Sequence, residues 1–167
     1  MIISGERVVL RPATEDDFAR LVSILREPEV ALRWGHPDEE GVREDFIQVE
    51  SGFVIEVDGE TIGAIQFVEE TTPMYRHAGI DLFIATSRQH QGFGTDAVRT
   101  LARYLIEERG HHRLIIDPAM DNAAAIRAYE KVGFRPVGVM REYELATDGT
   151  WHDGLLMDLL ADELIEP

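Results

Sequence analysis

Polar and apolar positions alternate along residues 6–12, and this pattern predicts a β-strand that ends at a proline. Behind Thr14, a residue type that caps helices, apolar residues recur at helical spacing and predict a helix over 15–27. The next segment, 28–52, is charged and only weakly amphipathic. It predicts a loop with a short helix.

The clearest hairpin signal is an Asp-Gly pair between two runs of β-forming residues. Residues 53–57 and 61–68 flank Asp58-Gly59, and a tight turn needs the positive φ angles that such a pair adopts. We therefore predict two antiparallel strands here. Later strands and helices alternate, which predicts an α/β fold with a mixed sheet. The same patterns predict strands at 80–85, 113–116, 137–145 and 151–160, and helices at 97–106 and 124–132.

The composition indicates an ordinary globular chain. Of 167 residues, 44% are hydrophobic and 29% are charged, so we expect one domain over 1–167. No run approaches the roughly 18 apolar residues of a membrane helix, and the start lacks a basic region followed by an apolar stretch. There are no cysteines, and the six histidines lack metal-ligand spacing, so we predict no metal site. We expect a cytoplasmic protein with no membrane partner.

The charge balance bears on possible partners. Acidic residues number 32 against 16 basic ones, which gives a formal charge of −16. Such a surface repels phosphate backbones, so we expect no nucleic-acid partner. The same field would concentrate a polycationic ligand if some carboxylates line a cleft. Solubility and adaptation to salt are alternative explanations of the charge.

A glycine-containing segment follows the strand at 80–85. Its glycines allow a backbone that aims several N–H groups at one point, which binds anions, although a structural turn is the alternative. The segment lacks the ending of a P-loop and the complete motif of dinucleotide folds. A phosphate-bearing ligand other than a nucleoside triphosphate is therefore favoured. The residues are Gln89, His90, Gln91, Gly92, Phe93, Gly94 and Thr95.

Two motifs stand in order along the chain: Gln89-x-x-Gly92-x-Gly94 before an amphipathic helix, then Asn122-x-x-Ala125-x-x-x-Tyr129-Glu130-Lys131-x-Gly133-Phe134. Together they resemble the GNAT family of N-acetyltransferases, over nearly the whole chain. The resemblance implies a mixed, mostly antiparallel central sheet flanked by helices. Its order is strand, two helices, three strands, helix, strand, helix and two strands. His90 departs from the family's loop, where a glycine often stands.

The resemblance implies acetyl-coenzyme A as the acetyl-donor co-substrate, with residues 89–95 on its pyrophosphate. Backbone amides at Leu82, Phe83 and Ile84 are expected to polarise the thioester carbonyl and to bind the pantetheine arm. Apolar alternation along this strand is equally what burial requires. Asn122, Ala125 and Tyr129 complete the cofactor-binding residues that the resemblance implies.

Acyl transfer to an amine needs a group that takes the proton of the ammonium and an acid that protonates the departing thiolate. The resemblance assigns Asp81 to the amine, directly or through water, and the Tyr129 hydroxyl to the thiolate. Asp81 is otherwise a solvated carboxylate at a strand end. Tyr129 is otherwise a packing residue of its helix.

The acceptor is less constrained. Gly79-Ile80-Asp81 and Asp117-Pro118 resemble the aminoglycoside 6'-N-acetyltransferases. This implies a small cationic amine as substrate, with the 6'-amine of an aminoglycoside as the expected acceptor, and gives Asp117 contact with substrate amines. Asp117 is otherwise a carboxylate at a helix start. Trp34, Glu69, Glu70 and Tyr75 are looser candidates for the acceptor cleft.

Other acceptors and roles stay open. Gly149-x-Trp151-x-Asp153 resembles instead the acetyltransferases that modify the N-termini of ribosomal proteins. Another small amine is a further alternative, as is a coenzyme A-binding domain without turnover. Both a monomer and a homodimer fit the sequence.

Overall fold

The computed structural model describes residues 1–167 and is organised around one eight-stranded sheet. Five α-helices flank it. The strands are β1 (Ile3–Ser4), β2 (Val9–Pro12), β3 (Gly52–Val57), β4 (Glu60–Glu70), β5 (His77–Ile84), β6 (Arg113–Ile116), β7 (Arg135–Leu145) and β8 (Trp151–Leu160). The helices are α1 (Phe18–Leu25), α2 (Pro28–Trp34), α3 (Glu39–Val42), α4 (Phe93–Glu107) and α5 (Ala123–Glu130).

The strands lie in the order β1-β2-β3-β4-β5-β6-β8-β7. Every neighbouring pair is antiparallel except β5 and β6, which are parallel and are joined through α4. This confirms the mixed, mostly antiparallel sheet that we predicted. None of the helices combines the length and apolar composition needed to span a bilayer.

The two faces of the sheet bury separate apolar clusters. Successive strand side chains point to opposite faces, so Phe53 and Ile55 join the cluster under α4, whereas Val54 joins the cluster under α1 to α3. β5 follows the same rule, with Ile84 in the first cluster and Phe83 in the second. The site-bearing strand β5 is therefore held on both faces.

The predicted hairpin is confirmed. Asp58 and Gly59 have φ angles of 50° and 79°, and they connect β3 to β4 with Val57 opposite Glu60. Asn122 caps α5, since its Oδ1 accepts a 3.3 Å hydrogen bond from the Ala125 N–H.

The N-terminal strand differs from the prediction. It begins at Val9 instead of residue 6, and a short β1 precedes it. The N–H groups of Glu6, Arg7 and Val8 donate to the buried carboxylate of Asp96 on α4, so they are not available to a neighbouring strand. The carboxylate of Asp96, which is distant in sequence, therefore takes the place of strand pairing at residues 6–8.

The segment after α1 holds more helix than predicted. Pro28 stands in the first turn of α2, where its missing N–H costs nothing, and the Asp38 side chain accepts from the Glu40 N–H at the start of α3. α4 also begins earlier than predicted, because Gly92 in the left-handed conformation starts it four residues before Ala97.

Candidate active site

A splay between two parallel strands opens the site. β5 and β6 pair only at Ala78 with Leu114 and at Gly79 with Ile115, while β5 stays paired to β4 as far as Ile84. Beyond Gly79, the edge of β5 that faces β6 is free of strand pairing. A cavity of about 910 Å³ lies here, large enough for the long arm of a cofactor together with a small acceptor.

The glycine loop presents unpaired N–H groups to this cavity. Gly92 precedes the 15-residue helix α4 with φ 87°, and the first N–H bonded within the helix is that of Asp96, to the Gly92 carbonyl at 3.1 Å. The four preceding N–H groups donate to no acceptor in the chain. They carry the positive end of the helix dipole, and this suits a phosphate. They belong to Gly92, Phe93, Gly94 and Thr95.

The remaining loop residues divide between the cavity and the scaffold. Gln89 and His90 line the cavity, His90 with φ 59°, and Gln89 Nε2 donates to the Ile84 carbonyl at 2.9 Å. Gln91 is turned away and donates to the Ser87 carbonyl, while the Phe93 ring is buried in the core. Only the backbone of Phe93 is therefore available to a ligand.

The free edge of β5 is partly occupied by its own neighbours. The Leu82 N–H, expected to polarise the thioester carbonyl, donates to Asp81 Oδ1 at 3.1 Å. The Leu82 carbonyl accepts a 3.1 Å hydrogen bond from Trp34 Nε1. Trp34 packs edge-on against Phe83 with ring centroids 5.1 Å apart. All four residues, with Ile84, line the cavity.

Asp81 has the most perturbed carboxyl group of the cavity. It is open to the cavity but is surrounded by protein, and this burial is the main cause that raises its pKa to about 7. Repulsion from Asp117 adds to the rise, followed by that from Glu144 and Asp45, while the hydrogen bond from the Leu82 N–H opposes it. An ammonium beside Asp81 would relieve this repulsion.

Asp117 and Glu144 make the acidic group of the cavity with Asp81. Asp117 follows β6 at its C-terminal end, as predicted, and accepts a 2.6 Å hydrogen bond from the Tyr143 hydroxyl. That bond is the main cause that raises the Tyr143 pKa to about 12. Burial and the charge of Asp117 raise the pKa of Glu144.

The sequence patterns missed Tyr143 and Glu144. Both lie on β7, and both line the cavity opposite β5 and β6. Their strand pattern carries no chemical motif. They reach the site because the register of β7 against β8 shifts between Met140 and Glu144, a bulge that changes where side chains point.

Tyr129 lies on α5 and lines the same cavity. It is partly buried, and its ring packs against Phe134 at 6.4 Å. Burial, followed by the charges of Asp81 and Asp117, raises its pKa, so the hydroxyl keeps its proton at neutral pH. Ala125 and Asn122 also line the cavity, with the Asn122 side chain engaged as the helix cap.

Three predicted acceptor residues lie outside the cavity. Glu69 pairs with Ala78, three positions from Asp81, so its side chain lies on the other face of the sheet. There it binds Arg109 and His111, and the hydrogen bond from Arg109 is the main cause that lowers its pKa to about 2. Glu70 accepts from the Thr72 N–H, and Tyr75 is exposed in the next turn.

No group of three or more His, Cys, Asp or Glu side chains is placed to hold a metal ion. The cavity does contain four basic side chains. Arg88 is paired with Glu60, and Arg33 with Asp121 at 2.6 Å. The other two, Arg127 and Lys131 on the α5 side, have no carboxylate partner.

The free N–H groups at α4, the splayed strands and the tyrosine of α5 lie around one cavity, and residues 7–135 match the family model of the acetyltransferase (GNAT) domain. The chain belongs to the GNAT family. It is an N-acetyltransferase that uses acetyl-coenzyme A as its acetyl donor.

Similar proteins are named for different acceptors, aminoglycosides and spermidine among them. The chain is 31% identical over 159 residues to an aminoglycoside N(6')-acetyltransferase type 1 from Klebsiella pneumoniae, covering 82% of this chain and 78% of that one. The structure of AAC(6')-Ib with paromomycin and acetyl-coenzyme A matches with TM-score 0.76 and 29% identity, covering 95% and 96%. Mycobacterium smegmatis RimJ with coenzyme A disulfide matches with TM-score 0.84 and 25% identity, covering 99% and 90%.

Proposed function

We propose that this GNAT enzyme acetylates a polycationic amine of the aminoglycoside type, at a 6'-amine. The observation that carries the proposal is the acidic group of Asp81, Asp117 and Glu144 around one cavity. Mutual repulsion contributes to the raised pKa values of Asp81 and Glu144, so the free site holds unrelieved negative charge. A ligand with several ammonium groups neutralises more than one carboxylate through charge-assisted hydrogen bonds. The 31% identical aminoglycoside relative supports the same acceptor.

We assign to Asp81 the binding and deprotonation of the substrate amine. The carboxylate holds the ammonium by charge and takes its proton, directly or through one water, which leaves the neutral amine as nucleophile. A pKa near 7 matches this task, because the group accepts a proton readily at neutral pH without being permanently protonated.

We assign to Tyr129 the protonation of the departing thiolate. Acetyl-coenzyme A supplies the acetyl group as a thioester. The raised pKa of the Tyr129 hydroxyl keeps it protonated at neutral pH, so the hydroxyl is available to donate a hydrogen bond and its proton to the sulfur as negative charge develops there. The protons then balance: the ammonium nitrogen loses two in all, one to Asp81 before the attack and one as the amide forms, and this second proton replaces the one that Tyr129 has given to the sulfur.

We assign the phosphates of the donor to the start of α4 and to the basic residues of the α5 side. The N–H groups from Gly92 to Thr95 are free and point from a helix N-terminus, and Arg127 and Lys131 line the same cavity without a carboxylate partner. The Leu82 N–H must leave Asp81 Oδ1 before it can serve the thioester carbonyl. Binding of an ammonium at Asp81 favours that release, because it competes for the same carboxylate.

Acetylation of a protein N-terminus is the second candidate, and the resemblance of Gly149-x-Trp151-x-Asp153 to the ribosomal-protein acetyltransferases supports it. The deciding experiment measures initial rates with acetyl-coenzyme A for kanamycin-type aminoglycosides, linear polyamines and short peptides. We expect the highest kcat/KM for an aminoglycoside and formation of its 6'-N-acetyl product. Robust turnover of peptides with none of the aminoglycosides would reject the proposal in favour of the second candidate.

A further inference from the structure

Arg7 lies beside the glycine loop. Its Nη1 donates a 2.5 Å hydrogen bond to the Gln91 carbonyl, and its guanidinium lies over the Phe93 ring, 4.3 Å from the centroid. No carboxylate forms an ion pair with Arg7, whereas Arg88 near the same loop is paired with Glu60. The guanidinium of Arg7, which has no carboxylate partner, thus contacts the Gln91 backbone and the Phe93 ring of the loop.

The backbone around Arg7 is anchored to α4 itself. The buried carboxylate of Asp96 accepts from the N–H groups of Glu6, Arg7 and Val8 at 3.2, 2.8 and 3.0 Å. Gly5 makes the close approach possible, because a Cβ there would lie 2.8 Å from Asp96 Oδ2. The segment that bears Arg7 is therefore fixed to α4, the helix that follows the glycine loop.

The hydrogen bond to Gln91 determines which way the next N–H points. In a trans peptide, the carbonyl of one residue and the N–H of the following residue point in opposite directions. Arg7 holds the Gln91 carbonyl, so the Gly92 N–H points away from Arg7. Gly92 lines the cavity and Arg7 does not, so this direction leads towards the cavity.

We propose that Arg7 is a positioning residue for the acetyl donor. By holding the Gln91–Gly92 peptide, it keeps the Gly92 N–H aligned with the free N–H groups of the first turn of α4 as one binding site for the donor's pyrophosphate. The inference rests on the proposed function, which places the pyrophosphate at this loop. Rotation of that peptide would replace a donor with a carbonyl oxygen, which repels a phosphate.

The test measures coenzyme A binding by calorimetry to the wild type and to Arg7→Met, which keeps an apolar stem over Phe93 but removes the donor and the charge. Arg76→Met is the matched control, since Arg76 also donates to backbone carbonyls, those of Arg109 and Gly110, and does not line the cavity. We expect the Kd for coenzyme A to rise about tenfold for Arg7→Met and to stay within about twofold for the control. The KM for acetyl-coenzyme A should rise in parallel, with kcat at saturating donor nearly unchanged.

A second ligand separates positioning of the loop from direct contact with another phosphate. Arg7→Met should weaken the binding of coenzyme A that lacks its 3'-phosphate by the same factor as it weakens the binding of intact coenzyme A. A loss seen only with the intact cofactor would mean that Arg7 binds the 3'-phosphate, and the positioning assignment would be wrong. Equal binding by the wild type and Arg7→Met would overturn it as well.

Arg7→Lys keeps the charge but replaces a planar group with several donors by a single ammonium. We expect an intermediate Kd, and this variant carries the test if Arg7→Met does not fold. Wild-type affinity in a folded Arg7→Lys and Arg7→Met pair would show that neither donor geometry nor charge matters. A wild type that binds no coenzyme A would instead reject the proposed loop assignment, independently of Arg7.

Discussion

The Tyr143 hydroxyl donates a 2.6 Å hydrogen bond to Oδ2 of Asp117, joining the edge strand β7 to the C-terminal end of β6. A bulge brings Tyr143 to this place. Glu142 adopts φ 48°, and its N–H donates to Asp153 Oδ1 at 2.8 Å. The hydrogen bond from Tyr143 fixes the direction of the Asp117 carboxylate and leaves its other oxygen free for an ammonium. The acceptor side of the cavity is thus oriented by a strand far along the chain.

Asp81→Asn should abolish the alkaline rise of activity. In the wild type, Asp81 is mostly protonated below its pKa of about 7 and becomes an active base above it, so kcat/KM for the acceptor should rise as pH increases through 7. The variant keeps the shape and loses the base. We expect its rate to be lower at pH 8 and this limb of the profile to be missing. A profile identical to that of the wild type would assign the limb to the substrate amine.

The same carboxyl predicts a pH dependence of stability. The folded pKa lies above the ordinary value of 3.8, so the native state binds more protons than the unfolded chain between about pH 4 and 7. The contribution of Asp81 to stability is therefore highest below pH 4 and falls as pH rises through 7. The difference in free energy of unfolding between Asp81→Asn and the wild type, measured by urea unfolding without ligands, should grow over this window. A constant difference would contradict the raised pKa.

Tyr129→Phe should lower kcat much more than stability. The variant loses one hydroxyl and keeps the ring against Phe134, and general acid catalysis contributes about 100- to 10,000-fold. The measurement is single-turnover acetylation, in which chemistry limits the rate. Tyr104→Phe is a matched control, because Tyr104 is partly buried against the core and does not line the cavity. An unchanged rate for Tyr129→Phe would reduce Tyr129 to a packing residue.

Gly92→Val should weaken the binding of acetyl-coenzyme A. A β-branched residue is strained at φ 87°, and its Cβ would lie 3.1 Å from Arg7 Nη1, so the Arg7 side chain must shift as well. We expect a KM for the donor at least about tenfold higher. The substitution disturbs both the proposed hydrogen bond from the Gly92 N–H to the donor's phosphate and the geometry of the first turn of α4. Gly59→Val imposes similar strain at φ 79° in the β3–β4 turn, away from the cavity. Equal KM values in the two variants would contradict the loop assignment.

Asp117→Asn should raise the KM of a polycationic acceptor more than that of a mono-amine. The variant removes one negative charge while keeping the shape. Tyr143→Phe frees the carboxylate and should raise the same KM by less, because the charge remains. High salt should weaken the wild type's affinity for the polycation and narrow these differences, since exposed charges are screened within about 10 Å at 0.1 M.

Initial rates at low and high salt check this prediction, with Glu70→Gln as the control. Glu70 is acidic and exposed, and it lies outside the cavity, so its loss changes net charge equally without changing the site. Equal effects of Asp117→Asn and Glu70→Gln would show that the overall field, and not the acidic group, attracts the acceptor.

Local sequence determined the elements whose signals are short in range. The Asp58-Gly59 turn and the strands over 113–116 and 151–160 follow from backbone preferences and side-chain periodicity, and the structure has them where predicted. The glycines of residues 89–95 likewise indicated an N–H-lined loop, because positive φ at Gly92 is a property of the residue itself. The family resemblance followed from these motifs, and the family match confirms it.

The tertiary structure decided which carboxylates share the cavity. Glu69 and Glu70 follow the predicted strand 61–68, as Asp117 follows β6, but they belong to β4, and its register on β5 turns Glu69 to the other face, where Arg109 binds it. Conversely, the bulge in β7 brings Tyr143 and Glu144 to the site from an unremarkable strand. Register, bulges and contacts between distant segments depend on pairing energies across the chain, and no local pattern encodes them. For the same reason, only the folded chain places Arg7 beside a loop 84 positions away.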